Sequence, residues 1–145
     1  MNDSAARPTT YWVIAVIGLI WNLFGCFQFF TEYNFWKNPE SREILPEAMR
    51  GLYDQTPGWL YVIFAIAVAA GTIGCIGLLM KKSWAVHAFL LSLITVIIQM
   101  GYSLFGAGMF EALGATSIIM PLIVILVAGF LWNYAKSSHA KGWLS

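Results

Sequence analysis

The fold of this chain is decided by residues 59–105, which read WLYVIFAIAVAAGTIGCIGLLMKKSWAVHAFLLSLITVIIQMGYSLF. The segment holds two apolar runs, Trp59–Met80 and Trp84–Phe105, joined only by the tripeptide KKS. Each run has about the 20 residues that an α-helix needs to cross a hydrocarbon core of roughly 30 Å. Neither run contains Asp, Glu, Lys or Arg. The pattern therefore predicts a helical hairpin that crosses a membrane twice.

Two further runs of the same kind, Tyr11–Phe30 and Thr116–Ala135, flank this hairpin. Hydrophobic residues make up 59% of the 145 residues and charged residues only 10%, against about 25% charged in soluble domains. A soluble protein would have to bury four apolar helices with almost no polar surface. We therefore predict an all-α fold: a transmembrane antiparallel four-helix bundle, forming one integral membrane domain over residues 1–145, with the lipid bilayer as its surroundings. The net charge of +1 provides no electrostatic footprint for nucleic acid.

The Lys and Arg residues outside the spans predict the orientation, because cytoplasmic loops carry an excess of them. Five fall on the side of both termini and three on the other side, so both termini are expected in the cytoplasm. The five are Arg7, Lys81, Lys82, Lys136 and Lys141, and the three are Lys37, Arg42 and Arg50.

The first run could also be a cleaved signal segment that ends at Cys26. Phe24 argues against this, since it is bulky where a lipoprotein cleavage box prefers a small or β-branched residue, and the apolar run continues to Phe30. In spanning helices Cys26 and Cys75 would differ in depth by more than about 10 Å. We therefore expect two unpaired thiols, because a disulfide needs Cα atoms within about 7 Å.

The loop at residues 31–58 is the one region with soluble-like composition. Within it, Ser41–Gln55 has helical periodicity, with an apolar face that includes Leu45, Met49 and Tyr53. Pro46 must begin or kink such a helix. The loop is therefore predicted to form a short amphipathic helix on the extracytoplasmic side, between spans one and two.

The sequence has no common catalytic signature. It lacks a nucleophile elbow, a zinc-protease His pair, a phosphate-cradling Gly/Lys loop and a Cys-x-x-Cys pair. We therefore predict that the protein is not an enzyme, with no catalytic residues, no metal site and no cofactor. His87 is interpreted as an ordinary interfacial residue. No span has a carboxylate in its interior, which disfavours ordinary proton-coupled antiport.

Neutral polar side chains within the spans are the candidate site. At about 1.5 Å per residue, Asn22 lies level with Thr95 and Gln28 with Gln99, which suggests that spans one and three face each other. One interpretation is interhelical hydrogen bonding, worth about 0.6–2 kcal/mol per contact. The other is an uncharged polar pocket for a neutral polyhydroxylated or amphipathic ligand. Its predicted lining is Asn22, Gln28, Thr95, Gln99 and Tyr102.

Several motifs resemble a group of small bacterial four-span proteins. They are Trp21-Asn22-Leu23-Phe24-Gly25, Leu45–Tyr53 (LPEAMRGLY), Thr56-Pro57-Gly58-Trp59, Gln99-Met100-Gly101 and Lys141-Gly142-Trp143-Leu144. The resemblance covers almost the whole chain. It implies a bacterial inner-membrane protein, and some members carry an automatic label of sugar transporter. It implies no particular binding or catalytic residue.

Three functions remain open from the sequence. The first is a transporter for a small solute of the sugar-like class, which would act as an oligomer because four helices enclose little pathway. The second is a non-enzymatic accessory or sensing subunit of a larger membrane complex, with the acidic loop as its contact surface. The third is a membrane enzyme acting on a quinone or lipid, for which the sequence offers no acid/base pair.

Overall fold

The computed structural model describes residues 8–106 and 108–145, so Arg7, which was counted for the orientation, lies outside the described part. Four long helices coincide with the four apolar runs, and the predicted all-α four-helix fold is confirmed. Short 3₁₀ turns occupy Pro39–Ile44, Tyr53–Gln55 and Ala115–Ile118, and a π turn, Tyr102–Gly106, continues α4. The helices are α1 (Thr9–Lys37), α2 (Glu47–Arg50), α3 (Gly58–Leu79), α4 (Trp84–Gly101), α5 (Met109–Leu113) and α6 (Ile119–Ala140).

The long helices pack in the order α1, α3, α4, α6. We call the end with residues 38–57 the loop end. The opposite end, with the 80–83 turn and residues 141–145, is the tail end. The suggestion that spans one and three face each other needs correction, since α1 packs along α3 and shares no extended contact with α4. Helices α1 and α4 instead both contribute residues to the wall of the cavity that is described below.

Glycines set the close approach of α3 to α4. A Cβ atom at Gly74 would lie 2.8 Å from the Phe89 ring, and one at Gly77 would lie 2.9 Å from the Ala85 Cβ. Both separations are shorter than the roughly 3.5–4.0 Å optimum for carbon atoms. Small residues of this kind allow helix backbones to pack tightly in membranes, where water provides no driving force between helices.

The tail after α6 folds back into the bundle. α6 ends in a Schellman motif in which Gly142 has φ of 80°, its N–H donates to His139 O, and the Trp143 N–H donates to Ser138 O, both at 3.0 Å. Trp143 then reaches the buried core beside Tyr11, with their rings 5.9 Å apart. This core at the tail end also contains Ala15, Cys75, Leu78, Ala85, Phe89, Leu131, Ala135 and Leu144.

The loop contains a short helix, α2, that begins directly after Pro46, the residue expected to begin or kink it, and the rest of the periodic segment is not α-helical. The segment forms Pro39–Ile44, α2 and Tyr53–Gln55, with breaks at the positions of Pro46 and Gly51. Arg42 is buried and organises the loop. Its guanidinium donates to Phe35 O at 2.6 Å, to Trp36 O at 2.9 Å and to Asp54 Oδ1 at 2.9 Å. These bonds satisfy carbonyls at the end of α1 and outweigh the local helical periodicity.

Candidate ligand-binding cavity

A cavity of about 440 Å³ lies between α1, α3, α4 and α6 and extends from the middle of the bundle to the loop end. It exists because α1 and α6 approach each other near the tail end, where Gly18 faces Leu131, and share no extended contact beyond that point. Phe24 on α1 and Met120 on α6 line it and are each about half exposed. The gap between these two helices therefore faces the surrounding lipid.

Most of the cavity wall is apolar. Its size falls within the range of pockets that enclose drug-sized molecules, which are mostly apolar with a few placed polar groups. The apolar lining residues include Trp21, Phe24, Phe64, Val68, Phe89, Val96, Met100, Met109, Leu113, Met120, Pro121, Val124, Val127, Ala128 and Leu131.

Three of the five residues predicted to form a pocket line this cavity: Asn22, Gln28 and Gln99. The other two do not. The buried Thr95 hydroxyl lies 2.8 Å from Leu91 O and 3.0 Å from Ser92 O within its own helix, as Thr often does. The Tyr102 ring packs against Trp59 with ring centres 4.9 Å apart.

Asn22 has a packing role as well as a place in the wall. Its Nδ2 donates to Gly18 O at 2.8 Å and lies 3.6 Å from the Cys75 sulfur. Its side chain fits over Gly71, where an added Cβ would overlap the Asn22 amide. The hydrogen-bonding interpretation thus describes Asn22 well, although its partners are on α1 and α3. Cys75 and Cys26 are both free.

Gln28 and Gln99 differ from Asn22. In the described part of the chain neither side-chain amide has a hydrogen-bond partner, and Gln99 is only 7% exposed. Gln28 is half-buried, and neither amide is among the fully buried side-chain atoms without a partner in the described chain, so both retain some accessible surface. Each amide here offers two N–H donors and one carbonyl acceptor to whatever occupies the cavity. Ser92, by contrast, donates to Ala67 O at 2.8 Å.

Glu32 is a charged lining residue that sequence reasoning did not include in the pocket. The prediction of an uncharged lining is therefore corrected, because one further helical turn from Gln28 brings this carboxylate onto the same face of α1. The Tyr53 hydroxyl donates to Glu32 Oε2 at 2.8 Å. The i, i+4 spacing of Gln28 and Glu32 was the available signal.

Glu32 also lines a smaller cavity of about 120 Å³ beneath the loop, together with Gln99 and Ser103. These residues therefore lie where the two cavities adjoin. Burial and the hydrogen bond to Glu32 raise the pKa of Tyr53, so its hydroxyl stays a donor over the physiological pH range.

The fold and the four apolar helices define a small multi-pass α-helical membrane protein. No protein-family model, curated protein or solved structure matches the chain.

Proposed function

We propose that this protein is a small-solute transporter of the bacterial inner membrane, and that its solute occupies the cavity between α1, α4 and α6. The observation that carries the proposal is the pair of amides, Gln28 and Gln99, that line this cavity and have no hydrogen-bond partner among the described residues. A solute with a polar head would satisfy them, and its apolar body would fit against the remaining wall.

An amphipathic solute fits this wall better than a sugar. A sugar offers hydroxyl groups on every side, and burying them against apolar surface without partners costs free energy. The polar groups are instead concentrated toward the loop end, at Gln28, Glu32, Gln99 and Ser103. We therefore propose a transport role, as the resemblance to proteins labelled as sugar transporters implies, but we do not propose a sugar as the solute.

We also propose that the protein acts as a homo-oligomer, because four helices enclose little pathway. We further propose that the tail end faces the cytoplasm. The tail end carries Lys81, Lys82 and Lys141 in its connections. At the loop end Arg42 is buried and ion-paired with Asp54, which weakens the positive charge there. Fusions of a reporter to the tail and to the loop would test the orientation.

Cavity binding is tested by equilibrium dialysis of the protein in phosphatidylcholine nanodiscs against 4-phenyl-1-butanol, with empty nanodiscs as the blank. Ala128→Phe places a ring in the cavity wall and is expected to abolish protein-dependent binding. The matched control is Leu126→Phe on the lipid-facing side of the same helix, where the side chain is 62% exposed and outside the lining. Equal binding by both variants would place the ligand elsewhere.

Movement of a solute requires a second assay. In proteoliposomes, a labelled probe that binds in dialysis should show counterflow that Ala128→Phe removes. Labelled glucose in the same vesicles tests the sugar label directly. Binding without counterflow would favour a sensing role over transport.

The alternative function is an accessory or sensing subunit, and the surface of the loop favours it. Ile44 is 82% exposed there, beside the exposed Glu40, Glu43 and Glu47. An exposed apolar side chain surrounded by polar side chains resembles a protein interface, in which an apolar core has a polar rim. A stoichiometric complex with a different membrane protein, weakened by Ile44→Asp, would support this alternative.

A further inference from the structure

Glu32 is a carboxylate in a largely apolar cavity without a cationic partner. Among the described residues, 8–106 and 108–145, the only salt bridge joins Arg42 to Asp54. Glu32 has the Tyr53 hydroxyl on one oxygen, and the other oxygen has no hydrogen bond within the described chain. An unpaired carboxylate in such surroundings is costly, and because Glu32 is only partly buried, water, a proton or an external cation can compensate it.

The neighbouring groups suggest which of these it is. Gln28 and Gln99 line the same cavity and supply amide carbonyl oxygens, while Ser103 lines both cavities together with Glu32 and supplies a hydroxyl oxygen. An ammonium group has three N–H donors and no acceptor, so it can use the carboxylate and amide oxygens together. The remaining wall is apolar and can enclose an alkyl or aryl body.

We propose that the ligand is an amphipathic amine whose ammonium group pairs with Glu32 and whose apolar body lies between α1, α4 and α6. This inference rests on the proposed function and narrows its solute to a cation. It also replaces the neutral ligand that the uncharged polar residues had suggested. The lateral gap between α1 and α6 would admit such a molecule from the lipid.

The test compares 4-phenylbutylamine with 4-phenyl-1-butanol, which has nearly the same shape and no charge. Dialysis in phosphatidylcholine nanodiscs at neutral pH should give wild type about tenfold or more tighter affinity for the amine, since hydrogen bonds to charged groups are the stronger ones. Glu32→Gln keeps an acceptor for Tyr53 and should lower amine affinity by about the same factor. Alcohol binding should change less than about twofold. Glu40→Gln, an exposed carboxylate at the loop end, is the charge control.

Equal affinity of wild type for amine and alcohol would overturn the charge recognition and leave the cavity-binding proposal standing. Absence of binding for both probes would overturn both proposals. Tyr53→Phe removes the hydroxyl from Glu32 and keeps the charge, so the preference for the amine should persist. If Glu32→Gln misfolds and binds neither probe, the Tyr53→Phe variant decides the outcome. Tighter binding of the amine than of the alcohol by Tyr53→Phe supports the proposal, and equal binding of the two overturns it.

The ammonium group could belong to a free amine or to a lipid headgroup. Nanodiscs containing phosphatidylethanolamine distinguish these sources. If phosphatidylethanolamine weakens amine binding to wild type but not to Glu32→Gln, the ammonium group belongs to a lipid headgroup. An unchanged amine affinity would assign it to a soluble or membrane-dissolved amine.

Discussion

Replacing Gly77 by Ala should destabilise the α3–α4 hairpin. An added Cβ would lie 2.8 Å from Trp84 Cζ3 and 2.9 Å from the Ala85 Cβ. Relief requires movement of roughly 0.6 Å or more to reach normal carbon contact. Because the Ala85 Cβ is fixed to its backbone, the helices themselves must separate. Overpacking of this kind costs about 1–3 kcal/mol.

Gly129→Ala is the matched control for this prediction. Gly129 is also inside a long helix, but its added Cβ would meet no atom within 4 Å. Both substitutions share the helix-propensity gain of up to about 1 kcal/mol, so their difference isolates the contact. The assay is reversible unfolding in mixed micelles with increasing sodium dodecyl sulfate. Gly77→Ala should be about 1–3 kcal/mol less stable than Gly129→Ala. Equal stability of the two variants would refute the packing argument.

Three other substitutions test separate parts of the fold. Lys81 has φ of 60° after α3, so Lys81→Gly should relieve left-handed strain and stabilise the protein by about 1 kcal/mol in the same assay. Trp143→Ala should remove about 3–5 kcal/mol, because this ring is 9% exposed in the tail-end core, and thermal unfolding in detergent would register the loss. Arg42→Gln should accelerate amide hydrogen exchange in residues 38–57 by about tenfold or more, whereas exposed Lys37→Gln should not.

The four spans could be predicted because each depends only on local composition. A helix that satisfies its own backbone and has an apolar surface needs no information about its neighbours. The order in which the helices pack could not be predicted in this way, because it depends on contacts between helices. For example, α1 lies against α3 where the Asn22 side chain fits over Gly71. The depth estimated for Asn22 and Thr95 from the sequence contains no information about rotation around each helix.

The loop and the tail depended on contacts that sequence spacing does not reveal. Periodicity in Ser41–Gln55 predicted a helix that Pro46 begins or kinks, and the spacing did not reveal that Arg42 bonds to the end of α1 and to Asp54. Trp143 belongs to the core only because Gly142 turns the chain back toward Tyr11. Glu32 follows the apolar run that ends at Phe30, and its place in the cavity wall depends on the separation of α1 from α6.

The most direct test of the account is native mass spectrometry of the protein extracted in mild detergent from the membranes of its own host. The account predicts one small amphipathic molecule per chain, retained by Leu126→Phe and lost from Ala128→Phe. Bare chain masses for wild type, or a stoichiometric complex with a different membrane protein and no small molecule, would contradict the claim that this cavity is a solute site.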